Sequence, residues 1–438
     1  MDRRTFLQSA SGALAAVAAP ALVVPRRTAV PALIADGARV NAQLTTFDRI
    51  GRTAGGINRV AYSENDLAGR AFTLDLFRAA GMAPRIDAAG NIVGRVEGRD
   101  ARAFPLVIGS HVDSVPDGGN YDGTLGSFAA IEVARTLRER GERLRHPLEV
   151  VVWANEEGGT IGSQAAVGHL PASALDLTAR SGVTIREGMT RIGGDATKLA
   201  AGVRAPGSIA GYLELHIEQG AKLERAGIAI GVVQGIVGLR WTTVTVTGLA
   251  NHAGATEMDR RQDALLAAAR FTVAVNDIAR SESGAQVATV GRMVPVPNTT
   301  NVIAGEVTCT VDLRDLDPVK LERLQARIES AGTEIGRASS TTFAYAPASA
   351  SEPALADPRL MTIVDEAARG LALSTRTMPS GAGHDAQELA RIGPMAMIFV
   401  PSVGGISHSP REFSTPQACA QGVDVLLRAV IAADRALP

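Results

Sequence analysis

At 438 residues the chain is too long for one ordinary hydrophobic core, and it reads best as two domains. Charged residues make up 20% of it and the formal net charge is -1, so no basic field exists to gather nucleic acid or anionic lipid, and a small-molecule partner is favoured. The two cysteines, Cys309 and Cys419, fall in segments assigned to different domains and neither stands beside a histidine, which argues against a structural disulfide, a cysteine-rich zinc site and a cysteine nucleophile.

The chain opens Met1-Asp2-Arg3-Arg4-Thr5-Phe6-Leu7-Gln8, followed by an apolar run over 12–24 with small residues at Ala16, Ala18, Ala19 and Ala21 that suit cleavage. This resembles a twin-arginine export signal and predicts a periplasmic or exported protein. The run is shorter than the ~20 residues that a spanning helix needs. Residues 1–30 are therefore set apart from the fold, and no later stretch predicts a membrane span.

From there, unbroken apolar strands alternate with amphipathic helices: a strand over 104–109, a helix over 123–140 and strands over 148–153, 211–215 and 395–400, with a closing helix over 417–436. Strands without alternation, separated by helices, predict an α/β domain built on a mostly parallel sheet, covering 31–237 and 350–438. The segment 238–349 differs. It predicts a strand over 239–247, a helix over 261–280, strands over 286–294 and 302–313, a helix over 318–337 and a strand over 341–346. That β-α-β-β-α-β order is ferredoxin-like, and it is inserted into the first domain.

Five of the seven histidines lie in polar, glycine-rich loops, and four of those loops follow predicted strands. In open α/β sheets such loops converge beyond the carboxyl ends of the strands, however far apart they are in sequence. The first reads Gly109-Ser110-His111-Val112-Asp113-Ser114, then Asp117-Gly118-Gly119-Asn120-Tyr121-Asp122-Gly123. His111 and Asp113 point the same way in an extended chain, so Asp113 can orient the ring while the other nitrogen binds metal. Asp122 precedes a helix, where a carboxylate serves as an N-cap or, in this company, bridges two ions.

The second loop, Trp153-Ala154-Asn155-Glu156-Glu157-Gly158-Gly159, places adjacent carboxylates after a buried strand, which demands local positive charge. Glu157 is expected as a ligand, and Glu156 as the base that takes a proton from activated water and returns it to the leaving nitrogen. His216 and His408 complete the count. His111, Asp122 and His216 would hold one divalent ion, and Asp122, Glu157 and His408 a second; the mixed N/O donors suit zinc, manganese or cobalt. The Gly381-x-Gly383 stretch lacks the third glycine of a dinucleotide fingerprint.

The runs Gly109-Ser110-His111-Val112-Asp113-Ser114, Ala154-Asn155-Glu156-Glu157-Gly158, Leu215-His216-Ile217-Glu218-Gln219-Gly220 and Gly405-Ile406-Ser407-His408-Ser409 closely resemble the hydantoinase/carbamoylase family of di-metal amidohydrolases, which is related to the M20 metallopeptidases. The resemblance covers nearly all of the chain after the leader. It implies a di-zinc exopeptidase-like catalytic domain with an inserted lid and dimerisation domain, a homodimer, and hydrolysis of a C–N bond in a small, carboxylate-bearing N-carbamoyl amino acid or ureido compound. It also implies substrate contacts: His252 at the oxyanion, from either subunit, Asn301 as a hydrogen-bond donor and Arg314 as a clamp on the substrate carboxylate, with Gln219, Gly383 and His384 completing the pocket. By its own residues Arg314 could equally pair with Asp312 or Asp315. The rival expectations are an M20-type dipeptidase or deacylase acting on an ordinary amide, and a binding protein without catalysis, which should lack a ligand or the base.

Overall fold

Four segments with no exposed position, Leu106–His111, Leu148–Trp153, Gly211–Ile217 and Met395–Val400, lie side by side in the middle of the molecule. They belong to a computed structural model that describes residues 33–438; the expected export segment over 1–30 lies outside the described residues. The four strands are mutually parallel, in the order 148–153, 106–111, 211–217, 395–400. Continuous burial on both faces is what a sheet covered by helices on each side requires of its strands.

The complete sheet has nine strands and is mixed rather than mostly parallel, since four of its eight pairings are antiparallel. The antiparallel strands sit outside the central four. Ile92–Val96 runs against Leu148–Trp153, and Ile230–Ile236 runs against Met395–Val400. The second of these follows Gly211–Ile217 after a linker that holds only the short helix Lys222–Ala226.

Helix Thr124–Glu139 lies against this sheet with Leu125, Phe128, Ala129 and Val133 fully buried. Pro416–Ala436 packs beside it, with Pro358–Arg369 beyond, and both begin with proline at the first turn after a capping Thr415 or Asp357, whose side chain accepts amide protons that the helix leaves unpaired. Among the described residues no helix is long and apolar enough to cross a membrane.

Residues 238–351 supply a separate four-stranded antiparallel sheet, Gly238–Thr247, Val287–Val296, Glu306–Asp315 and Thr342–Ser351, in spatial order 4-1-3-2. Alternate residues Val244, Val246, Val307, Cys309 and Val311 face helices Ala264–Arg280 and Pro318–Ser339, meeting Phe271, Leu321 and Leu324 in one core. The strand expected over 302–313 is divided at Ala304-Gly305. Val302–Ile303 turns away to pair with Asn251–His252 as a two-stranded ribbon, and only Glu306–Asp315 joins the sheet.

Candidate active site

All four parallel strands deliver a side chain to one place. Leu106–His111 ends in His111, Gly211–Ile217 carries His216, Leu148–Trp153 leads into Glu156 and Glu157, and Met395–Val400 leads into the loop of His408. The two strand histidines are 1% exposed and belong to the ladder, with His111 opposite Trp153 and His216 opposite Phe399. Both were expected in loops after their strands. Backbone pairing needs no apolar side chain, so each strand runs past its last apolar residue.

Asp122 sits at the centre. Its Oδ1 lies 3.5 Å from His111 Nε2 and 3.1 Å from His216 Nε2, and its Oδ2 lies 3.2 Å from His408 Nε2. Glu157 Oε1 lies 3.5 Å from that same histidine nitrogen. The N-cap reading of Asp122 fails, because the cap of the following helix is Gly123, with no side-chain bond. One carboxylate thus faces two donor triads, His111–Asp122–His216 and Asp122–Glu157–His408, each with its ligand atoms within 4.8 Å of one another.

Two further observations fit this donor set to divalent cations. His111 Nδ1 lies 3.1 Å from the Asp113 carbonyl and His216 Nδ1 lies 2.9 Å from the Ile217 carbonyl, which places a proton on each Nδ1 and turns each Nε2 towards Asp122, where a divalent cation would take the place of the Nε2 proton. Glu157 Oε1 is buried with no hydrogen-bond partner, a costly state for a carboxylate oxygen unless a cation meets it. A third grouping, Glu214–His216–His384, fits an ion poorly. Both Glu214 oxygens are already engaged, by the Ser110 hydroxyl at 2.8 Å, the Tyr212 hydroxyl at 3.1 Å and the Ala386 amide at 3.2 Å.

The electrostatics reflect many acids in little space. Burial pushes the Glu157 carboxyl up to about 7, with the charge of Asp122 adding to it. Glu156 is driven well above the usual carboxylate range, by burial first and then by Asp385, Glu157 and Asp113 against the pull of His111. Burial also disfavours charge on Asp122, yet His111, His216 and His408 hold it well below its ordinary value. Asp113 is raised by burial, and its carboxylate takes a role beyond the expected one. Its oxygens accept the amides of Glu156 at 3.3 Å and Glu157 at 3.2 Å, so it sets the backbone of the acid pair, while its carbonyl orients His111.

Backbone strain collects here too. Asn155, Gln219 and His408 all adopt φ between 51 and 56°, a region that side chains other than glycine enter at a cost of about 1–3 kcal/mol each. Gly123, with φ 61°, packs so that a Cβ would fall 2.3 Å from His111 Nε2. Gly123→Ala is therefore expected to tilt the ring by most of an ångström and cut turnover by about 10²-fold, the scale reported for such misplacement. Steady-state kinetics alongside thermal unfolding would separate this effect from a general loss of fold.

The expected substrate contacts divide into two groups. Gln219 and Arg314 line an open cleft with Lys222, Gly381, Ser407 and His408, and Gln219 Nε2 donates to Asp122 Oδ2 at 2.6 Å. Arg314 pairs with Asp312 at 2.9 Å, as its own neighbours foretold, but it also donates to the Gly381 carbonyl at 2.7 Å and so reaches from the inserted sheet to the cleft wall. Gly383 is exposed beside the cleft, whereas His384 is 1% exposed, bonded to the Ser380 hydroxyl at 2.8 Å and packed edge-on to His216 at 4.5 Å. Burial and the charge of His216 hold it neutral. A buried ring pressed on His216 supports that side chain and offers substrate little surface.

His252 and Asn301 lie together on the two-stranded ribbon, both exposed, with the Ala253 amide donating to the Asn301 carbonyl at 2.9 Å. Among the described residues no hydrogen bond or ion pair joins either to the cluster. The sequence reading passed over Glu412, which is 6% exposed and accepts the amides of Tyr121 and Asp122. Its one signal was proximity to His408, because the two amides it accepts lie some 290 residues away.

Comparison with known proteins agrees with this geometry. The model of peptidase family M20/M25/M40 matches residues 107–432. The chain is 38% identical to an N-carbamoyl-L-amino acid amidohydrolase of Geobacillus stearothermophilus, over 90% of this chain and 98% of that one, and 34% identical to a ureidoglycolate hydrolase of Arabidopsis thaliana, over 84% and 80%. A crystal structure of a hydantoinase/carbamoylase family amidase from Burkholderia multivorans superposes with a TM-score of 0.86 at 38% identity, covering 92% of this chain and 99% of the other. Shared sequence over nearly the whole length and a shared fold place this chain in peptidase family M20/M25/M40, on its hydantoinase/carbamoylase branch.

Proposed function

We propose that the chain is a metal-dependent amidohydrolase that cuts a C–N bond in a small N-carbamoyl amino acid or ureido compound, using two divalent ions of zinc, manganese or cobalt. The observation that carries this reading is Asp122, whose two oxygens face separate donor triads beside an acid, Glu156, that neither triad uses. Ions at these positions supply a polarised scissile carbonyl and a water of lowered pKa.

The side chains do the rest. Glu156 accepts the proton of the attacking water and delivers it to the departing nitrogen, and Asp113 fixes the backbone from which Glu156 projects. Arg314 and Lys222 give the cleft wall positive charge, and a substrate carboxylate would take the planar fork of Arg314 in exchange for Asp312. His252 and Asn301 reach the reacting carbonyl when the inserted unit closes or when a partner subunit presents them. For a carbamoyl substrate and one water, the products are ammonia, carbon dioxide and the free amino compound.

The test is turnover by the metal-loaded protein, read as ammonia release from N-carbamoyl amino acids, allantoate and ureidoglycolate and as newly freed amino groups from dipeptides. Turnover of carbamoyl or ureido compounds is expected; turnover of dipeptides alone would replace this reading with an ordinary peptidase. The homodimer is supported by exposed Val287, Val294 and Val296 on an edge strand and by Leu265, Leu266 and Val273 on the adjoining helix, and light scattering would check it. Export rests on Arg3 and Arg4 ahead of the apolar run, and cell fractionation of a variant with both changed to Lys should leave the protein inside.

A further inference from the structure

The side chains of the two triads are not supported alike. His111 and His216 stand on paired strands of the central sheet, nearly inaccessible, with each Nδ1 tied to a carbonyl. Asp122 and His408 come from loops, and the His408 side chain is 50% exposed at a backbone φ of 51°. Nothing within either loop alone fixes one against the other.

Glu412 joins them. Its Oε1 accepts the amide protons of Tyr121 at 2.8 Å and Asp122 at 3.1 Å, clasping the peptide that carries the Asp122 side chain. Its Oε2 lies 2.7 Å from the hydroxyl of Ser407, the residue before His408, and that hydroxyl lies 3.1 Å from Asp122 Oδ2, so a single proton is shared between two carboxylates. The Glu412 amide closes the turn by donating to the Ser409 carbonyl at 3.0 Å. The fit is tight enough that a Cβ at Gly119 would fall 2.2 Å from Glu412 Oε1.

We propose that Glu412 is a positioning residue that sets the affinity of one ion of the pair, the outer one at Asp122 Oδ2, Glu157 and His408, while the inner one at Asp122 Oδ1 is governed by the strand histidines. The inference rests on the two-ion reading above. Two contacts of Glu412 lie on the outer side alone, since it holds Ser407 against Oδ2 and braces the turn that presents His408, whereas its clasp on the Asp122 amide is common to both oxygens. Among the described residues no hydrogen bond of Glu412 reaches His111, His216 or the carbonyls that orient them. Loss of an outer hydrogen-bond partner of this kind typically weakens metal affinity by about 10–100-fold.

The test is a titration of the full chain, stripped of metal, with cobalt(II), read by ligand-field absorption and by metal content after equilibrium dialysis. Wild-type protein should take up two ions; uptake of one or none would sink the two-ion reading itself. Glu412→Ala should weaken one ion by about 10–100-fold and the other far less. Glu412→Gln, which keeps an oxygen for both amides and an N–H for Ser407, should bind both nearly as wild type does. Ser407→Ala should weaken the same single ion by a smaller factor, and it carries the test if Glu412→Ala fails to fold. The proposal is overturned if Glu412→Ala binds both ions normally or weakens both equally, or if Ser407→Ala leaves the weaker ion untouched. Thermal unfolding of each stripped variant guards against a general loss of structure.

Discussion

Glu156→Gln is expected to lower turnover by about 10²–10⁴-fold, equivalent to about 3–5 kcal/mol in the barrier, with metal content unchanged. The geometry separates these two outcomes. Glu156 is 10% exposed and lies 3.6 Å from His111 Nε2, but it belongs to neither donor triad. The contact that orients it runs from its own backbone amide to Asp113, so an amide side chain of the same shape leaves the loop as it was. What the substitution removes is a carboxyl that burial and neighbouring acids push up towards the working range of a group that must hold a proton and release it. Glu157→Gln should behave differently, losing an ion before any kinetic step is reached. Measuring kcat and bound metal on both variants decides the matter, and normal turnover by Glu156→Gln would mean that the base lies elsewhere.

The centre of the sheet was plain in the sequence because unbroken apolar segments have few other places to go. Residues 148–153 and 395–400 are strands with the bounds that their apolar runs predict. The flanking strands were not legible. Ile92–Val96 contains Gly94, Ile230–Ile236 contains Gly231 and Gly235, and Thr375–Ser380 contains Pro379, and such residues break the apolar run on which recognition of a strand depends. Missing those strands is also why the sheet was expected to be mostly parallel.

At the site, the residues brought together are those at or just beyond the ends of the four parallel strands, since strand order alone forces their convergence. Glu412 escaped notice because its role comes from amides contributed by a distant loop, and no spacing rule connects 412 with 121. His252 and Asn301 are beyond reach for a different physical reason. They ride on the ribbon of the inserted unit, outside the four parallel strands whose order makes the other site residues converge.

Removal of metal should do more than stop turnover: it should change the direction in which stability moves with pH. In the stripped protein, burial raises the Glu157 carboxyl from its ordinary 4.5 to about 7, so its contribution to stability is complete below pH 4.5 and lost as pH climbs through 7. The hydrogen bond to Asp122 raises His408 from 6.5 to about 9, so its contribution is complete below 6.5 and lost through 9. Asp122, held low by its histidines, works in the opposite sense, but only at more acid pH, where it would gain a proton. His384, kept neutral, opposes the trend only below its ordinary 6.5. Between pH 6.5 and 9 the stripped protein should therefore melt at steadily lower temperature. With cobalt or zinc in excess the same groups are held deprotonated as ligands, and ion binding strengthens as protons become scarce, so the melting temperature should stay level or rise over that interval. Thermal unfolding at several pH values, with chelator and with added metal, measures both slopes. Parallel curves would show that these side chains do not hold the ions, and the assignment of Asp122 as their shared ligand would go with them.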